Sequence, residues 1–266
     1  MPDAINKSAC RVQIPHREKE SNQLSETSTL ISYSGRISSA ELARVPTPPA
    51  TPTHIPIPHI EVVQTLVETL SLRHIGVLGE EFAVSGDGME MFGVLDLETT
   101  FEGCRFALGV RNANNKRFRL SCTVGLRVFV CQNLAFQGDY TPVLAKHTKN
   151  FGLQDSISIG VDRMQRNFEP MRRQVEAWRV RQPSDEAAKL IIYRAFIEGD
   201  LEVPKHLARV VHSRYFNPPH EEFAPRSMWS LSNAFTSAFK ELDAIPQFRA
   251  TAKLGSFLEG TSRAGA

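Results

Sequence analysis

The sequence predicts an α+β fold, an antiparallel sheet built from hairpins in the N-terminal half followed by a long helix and a helical C-terminal part. Two observations lead to this prediction. Residues 76–130 repeatedly alternate apolar and polar side chains, as strands with one buried face do. Residues 155–242 place apolar side chains at three- and four-residue spacing, as amphipathic helices do. Strands followed by helices indicate α+β rather than an alternating α/β fold.

Composition predicts one globular domain between two tails. The chain has 266 residues, of which 41% are hydrophobic and 23% charged. Residues 1–29 are rich in polar residues and predict a disordered tail, residues 30–250 the domain, and residues 251–266 a C-terminal tail. No apolar run approaches the roughly 20 residues that span a bilayer, and no signal-peptide pattern is present. A cytoplasmic protein without a membrane partner is therefore expected.

The domain begins with a proline-rich connector and a helix. Residues 45–58 read VPTPPATPTHIPIP, and this proline content favours an extended connector. In the alternative interpretation, the Thr-Pro pairs are phosphorylation or docking sites. A helix is predicted over 59–72, where apolar residues form one stripe.

Two hairpins follow. Residues 76–84 and 89–97 flank the turn sequence Ser-Gly-Asp-Gly at 85–88. Residues 104–110 and 118–130 flank an asparagine-rich turn at 112–116, with even-numbered apolar residues on one face and odd-numbered residues on the other. Gly125 predicts a bulge or bend in this long strand.

The helical half begins with an apolar seam. Its members step by four and three residues: Ile157, Val161, Met164, Phe168, Met171, Val175 and Trp178. Pro170 predicts a kink or a break. The seam is expected to pack on the sheet of its own chain, and the alternative is a homo-oligomer formed through it.

Three further helices are predicted. The first is capped by Ser184 and stopped by Gly199. The second starts at Pro204 and ends before Asn217, and the third starts near Ser227. Residues 261–266 are expected to fray.

Familiar catalytic motifs are missing from the sequence. It has no phosphate loop, no dinucleotide-binding glycine pattern, no zinc-protease motif and no nucleophile elbow. Asp96 and Glu98 would share one strand face and could bind a divalent metal, but the sequence places no third ligand beside them. The four cysteines lack metal-ligand spacing, and Cys104 and Cys122 predict buried thiols, a disulfide being the alternative. We therefore expect no metal and no cofactor, and favour a non-enzymatic protein over a metal-dependent nuclease.

The strongest functional signal is a basic segment. Residues 103–138 contain six basic residues and no acidic one, whereas the whole chain carries a net charge of only +2. The six are Arg105, Arg111, Lys116, Arg117, Arg119 and Arg127. If the even positions pack inward, four of the arginines share the other face with small residues, and Phe129 is available to stack on a base. This surface predicts binding of single-stranded DNA. In the alternative reading the arginines pair with acids elsewhere in the chain.

The same segment resembles a known family. Residues 109–116 (GVRNANNK), 125–136 (GLRVFVCQNLAF) and 228–236 (MWSLSNAFT) resemble the motifs of a phage- and plasmid-borne family of unknown function, often labelled "phage/plasmid-like protein". The resemblance covers roughly residues 30–250. It implies a mobile-element origin and, by association, a DNA-related or host-takeover role, the latter through the helical region.

The chain departs from the family pattern at three positions. Ala113, Asn115 and Gln132 stand where members often have serine or an acid. If those groups bind a metal in the family, the resemblance implies that this chain lacks it.

Overall fold

The computed structural model describes residues 36–131, 133–136, 141 and 143–263. The prediction of a disordered tail at 1–29 and the substitution at Gln132 lie outside the described residues. The strands are β1 Arg36–Ile37, β2 Val77–Val84, β3 Glu90–Phe101, β4 Cys104–Ala113, β5 Leu120–Val128, β6 Leu134–Phe136 and β7 Val143–Ala145. The helices are α1 Ser39–Leu42, α2 His59–Ser71, α3 Leu153–Val180, α4 Asp185–Tyr193, α5 Leu207–Phe216, α6 Met228–Ala238 and α7 Ala244–Arg263.

The predicted α+β fold is confirmed. Strands β1 to β6 pair in sequence order, each antiparallel to its neighbour. Strand β7 also pairs with β5, along Leu120–Cys122, whereas β6 pairs along Gly125–Arg127. The chain after β5 therefore folds back twice against the same strand.

Both predicted hairpins form. The turn between β2 and β3 is closed by Ser85, whose backbone N–H donates to Glu90 at 2.9 Å, and Gly88 has a φ of +69°. The pairing of β4 with β5 runs without a break from Cys104 opposite Val128 to Arg111 opposite Ser121. The prediction of a bulge at Gly125 is therefore wrong.

The main core lies between the sheet and the helices. The even-numbered apolar residues of β4 and β5 point into it, as predicted. The α3 seam lies against it, with Phe168 partly buried and its ring 4.1 Å from the ring of Phe106. Because the seam is used within the chain, it does not offer a dimer interface. Pro170 lies inside one continuous helix, so the helix is not split there.

The last helices begin and end largely where the sequence indicates. The Ser184 hydroxyl accepts a hydrogen bond from Ala187 N, and the helix continues as a π-helical turn to Glu198 before Gly199 with a φ of +87°. Helix α5 begins at Leu207, three residues beyond the predicted start at Pro204, and Ser227 caps α6.

The predicted C-terminal tail is wrong for residues 251–263. They form the greater part of α7, and Ala250, Leu254 and Leu258 belong to the main core. Two of the cysteines are buried free thiols, as predicted, and burial raises the pKa of Cys104 to about 11 and that of Cys122 to about 12. None of the helices in the described part of the chain combines the length and apolar composition that a membrane span requires.

Candidate nucleic-acid interface

The sheet face opposite the main core, on which the sequence predicts four arginines beside small residues, is largely covered. A second apolar cluster occupies it, with members from the strands and from α7: Ala83, Phe92, Val94, Ala107, Leu134, Phe136 and Phe248. The ring of Phe136 lies over Gly109 and Gly125. A Cβ atom on Gly125 would come within 2.8 Å of this ring and 2.7 Å of the Ala135 carbonyl oxygen. The space above these small residues is therefore filled by the Phe136 ring and is not open to a phosphate backbone.

Arg127 is the clearest correction to the predicted site. Its side chain is 7% exposed, its Nε lies 2.8 Å from Asp96 Oδ1, and its Nη2 lies 3.4 Å from Glu81 Oε1. Arg127 is thus an internal ion-pair partner, because strands β2 and β3 bring two carboxylates to it. The same contact engages Asp96, one of the two candidate metal ligands. Within the described residues, no group of three or more His, Cys, Asp or Glu side chains is arranged to hold a metal ion.

Arg105 and Arg111 are half-buried and lie against aromatic rings. The Arg105 guanidinium carbon is 5.3 Å from the ring centre of Phe129, which is 40% exposed. The Arg111 guanidinium carbon lies 5.2 Å from the Phe118 ring and 4.5 Å from the Phe248 ring. All three are cation–π contacts, so these arginines are positioned by their own chain.

The turn between β4 and β5 is anchored by asparagines. The Asn114 side chain accepts a hydrogen bond from Ile57 N and donates one to Ile57 O, both at 3.0 Å. Asn112 also donates to Ile57 O, at 3.0 Å, and its amide nitrogen lies 2.8 Å from His59 Nδ1. These asparagines thereby hold the proline-rich connector against the hairpin, which fixes the position of both.

Beside this turn lies a cavity of about 430 Å³, which we call the basic cavity. It is lined by residues 53–54, 113, 116–119 and 146–148, and four of these are cations: Lys116, Arg117, Arg119 and Lys146. No lining residue is acidic. Arg117 pairs with Glu90 at 3.2 Å but keeps its side chain 72% exposed. The other three cations are exposed and form no ion pair within the part of the chain that the structure describes.

Two histidines form part of the cavity wall. The rings of His54 and His147 are stacked, with centres 5.5 Å apart and planes 9° from parallel. The His54 ring nitrogens lie 3.1 Å from the His147 carbonyl oxygen and 3.0 Å from that of Asn114. Burial, together with the smaller effects of the nearby His54 and His59, lowers the pKa of His147 to about 4. The His147 ring is therefore neutral near pH 7.

The structure brings only part of the predicted site together. Lys116, Arg117 and Arg119 line the basic cavity, and Phe118 forms part of its wall. Arg105, Arg127 and Phe129 belong to the other end of the hairpin, since the stretch of β4 from Arg105 to Arg111 is about 20 Å long.

Among the lining residues that sequence reasoning missed, three can donate hydrogen bonds or carry charge from a nitrogen. They are His54, Lys146 and His147. The basic tetrapeptide Lys-His-Thr-Lys at 146–149 was a local signal for two of them.

Searches for similar proteins give no further guidance. No protein-family model, curated protein or solved structure matches the chain. The resemblance to the phage/plasmid-like family therefore stays a prediction made from the motifs alone.

Proposed function

We propose that the protein is a non-enzymatic nucleic-acid-binding protein that binds single-stranded DNA at the basic cavity. The observation that carries the proposal is the meeting of four cations from two separate segments around one concavity without an acidic lining residue. Lysine and arginine side chains in such an arrangement neutralise phosphates and release their counterions. Lys116, Arg119 and Lys146 form no ion pair with any residue that the structure describes, so no described partner has to be given up when they bind.

The shape of the site supports a single strand over a duplex. A pit of about 430 Å³ is in the size range of small-ligand sites. A flexible strand can bend a phosphate and its base into such a pit, whereas a rigid duplex presents its phosphates on a convex surface. The half-buried Phe118 adds an aromatic wall, on which a base can rest.

A mobile-element origin belongs to the same proposal. Its support is the likeness of residues 109–116 and 125–136 to the phage/plasmid-like motifs. The first stretch lies at the candidate interface, because it holds Lys116 and the asparagines of the turn. The second stretch, with Arg127 and Phe129, lies at the other end of the hairpin and supports the family likeness only.

The test is fluorescence anisotropy with a labelled single strand and the matching duplex at two salt concentrations. The double variant Lys116→Gln with Arg119→Gln should weaken binding and reduce the slope of log K against log salt by about 1.4, since each single-strand phosphate contact contributes about 0.7. The matched control is Lys205→Gln with Arg209→Gln, which removes two exposed cations outside the cavity. Absence of binding at low salt, or equal loss in both double variants, would refute the proposal.

A second candidate is a protein-interaction module acting through the helical region. Helix α4 and the turn after it expose Leu190, Tyr193 and Ile197, which are 56%, 50% and 45% exposed. Their spacing places them along one face of the helix. A second copy of the chain is the simplest occupant, and sedimentation equilibrium tests it. A dimer that dissociates in Leu190→Asp would support this candidate, and a monomer at all concentrations would contradict it.

A further inference from the structure

His147 differs from the other residues of the basic cavity, because it is a buried polar residue whose side chain has no hydrogen-bond partner among the described residues. It is 6% exposed, and neither Nδ1 nor Nε2 has a partner among the residues that the structure describes. Folded proteins pair the large majority of their buried polar side-chain atoms. An unpaired imidazole in the wall of a basic cavity therefore points to a ligand that supplies the missing hydrogen bond.

The position of the ring is set by stacking rather than by hydrogen bonds. The His147 ring stacks with that of His54, at 5.5 Å between ring centres, and with that of Phe151, at 6.2 Å, with interplanar angles of 9° and 14°. Stacking leaves the edge of the ring, where the nitrogens are, for polar contacts. Both nitrogens are buried without a partner in the described part of the chain, so no hydrogen bond there fixes the rotation of the ring.

The chemistry of the cavity selects an anion with several acceptor oxygens. A neutral imidazole supplies one N–H donor. Around it, Lys116, Arg119 and Lys146 supply positive charge without an ion-paired carboxylate in the described part of the chain. A phosphate monoester matches both features, because it carries up to two negative charges and three oxygens not shared with a chain.

We infer that the basic cavity binds the terminal phosphate of a nucleic-acid strand, with the His147 imidazole donating a hydrogen bond to it. This inference rests on the proposed function. A phosphate reaches the buried His147 only by entering the cavity end-on, with the ring turning its edge toward it. An internal phosphodiester continues into the strand on both sides, and both sides would have to stay outside the cavity. A terminal phosphate continues into the strand on one side only.

The first test uses wild-type protein and four oligonucleotides of one sequence. Three are linear, with a 5′-phosphate, a 3′-phosphate or two hydroxyl ends, and the fourth is closed into a circle. At least one phosphorylated strand should bind about ten-fold more tightly than the hydroxyl-ended strand and the circle, as expected for one hydrogen bond to a charged group. Whichever phosphorylated strand is preferred identifies the end that is recognised.

The outcomes separate the two proposals. Equal binding of all four strands overturns the terminal-phosphate inference and leaves the proposed function standing. Absence of binding to every strand at low salt overturns the proposed function and the inference together.

The second test assigns the preference to His147. His147→Phe keeps a ring in the stack but removes both nitrogens, so it should abolish the ten-fold preference, measured as the ratio of the affinities of this variant for the phosphorylated and the hydroxyl-ended strand. His206→Phe, at an exposed position before α5, is the matched control. A preference that survives in His147→Phe overturns the assignment.

A competition measurement covers the case in which His147→Phe does not fold. Adenosine 5′-monophosphate and adenosine 3′-monophosphate compete with the labelled strand for wild-type protein, at matched ionic strength. At least one should displace the strand at concentrations where adenosine does not. Equal behaviour of the three compounds overturns the inference.

Discussion

The strands of the β4–β5 hairpin and the turn that joins them carry cations from the same acid-free segment, but these cations differ in their exposure and ion pairing. Arg127 on β5 is buried against Asp96 and Glu81, whereas Lys116 and Arg119 at the turn are exposed. The difference lies in what covers each part, because β6 and α7 place phenylalanines over the strands. The charge of a segment therefore indicates a binding site only after its coverage is known.

The largest loss of stability is expected when the phenylalanine ring that covers the strands is removed. Phe136→Ala should lower the free energy of unfolding by about 4 kcal/mol, because it empties the space over Gly109 and Gly125. Urea unfolding measures this loss. Phe129→Ala is the control at the other end of the hairpin, where the ring is 40% exposed, and should cost under about 1 kcal/mol. Similar losses in both variants would show that Phe136 does not cover a packed face.

The next effect separates stability from binding. Arg127→Ala should cost about 3 kcal/mol of stability, because it leaves Asp96 and Glu81 without their buried partner. Arg119→Ala should change stability by less than about 0.5 kcal/mol, because its side chain is exposed. Single-strand affinity should respond in the opposite way, falling in Arg119→Ala and unchanged in Arg127→Ala. Anisotropy and urea unfolding on the same preparations measure the two quantities. Weaker single-strand binding in Arg127→Ala together with unchanged binding in Arg119→Ala would contradict the prediction.

The smallest effect concerns pH. His147 has a pKa of about 4 in the folded chain and about 6.5 when unfolded, so the unfolded state binds an additional proton as the pH falls through this window. Stability should accordingly fall on acidification, with a contribution of about 2 kcal/mol from His147 between about pH 7 and about pH 4.5. Burial also lowers the pKa of His59, which acts in the same direction.

The variants isolate this contribution. Urea unfolding at the two pH values should show a smaller acid-induced loss in His147→Phe than in the wild type, and an unaltered loss in His206→Phe. An equal loss in all three proteins would contradict the burial of a neutral imidazole.

The elements of the fold were predictable because their signals are local. The alternation along β4 and β5 and the seam of α3 each report a buried face within one segment. The coverage of the other sheet face was not predictable in this way, because Phe136 and Phe248 come from a three-residue strand and from a helix that was assigned partly to a tail.

The candidate site was predictable only in part, for the same reason. Residues 116–119 stood out by charge, but the cavity also needs residues 53–54 and 146–148, which only the fold brings to them. Similarly, the length of the predicted strand favours a bulge or bend at Gly125, whereas the structure shows a glycine that makes room for Phe136, a contact that the sequence does not reveal.

The ion pairs of Arg127 have a consequence for how this sequence can evolve. Loss of Asp96 alone weakens the pairing of a buried cation, and loss of Arg127 alone leaves two carboxylates without this cation. Positions 81, 96 and 127 are therefore expected to change together among relatives, as a linked set. The cations of the basic cavity that form no ion pair in the described chain carry no such constraint, so selection on Lys116, Arg119 and Lys146 would record the ligand and not the fold.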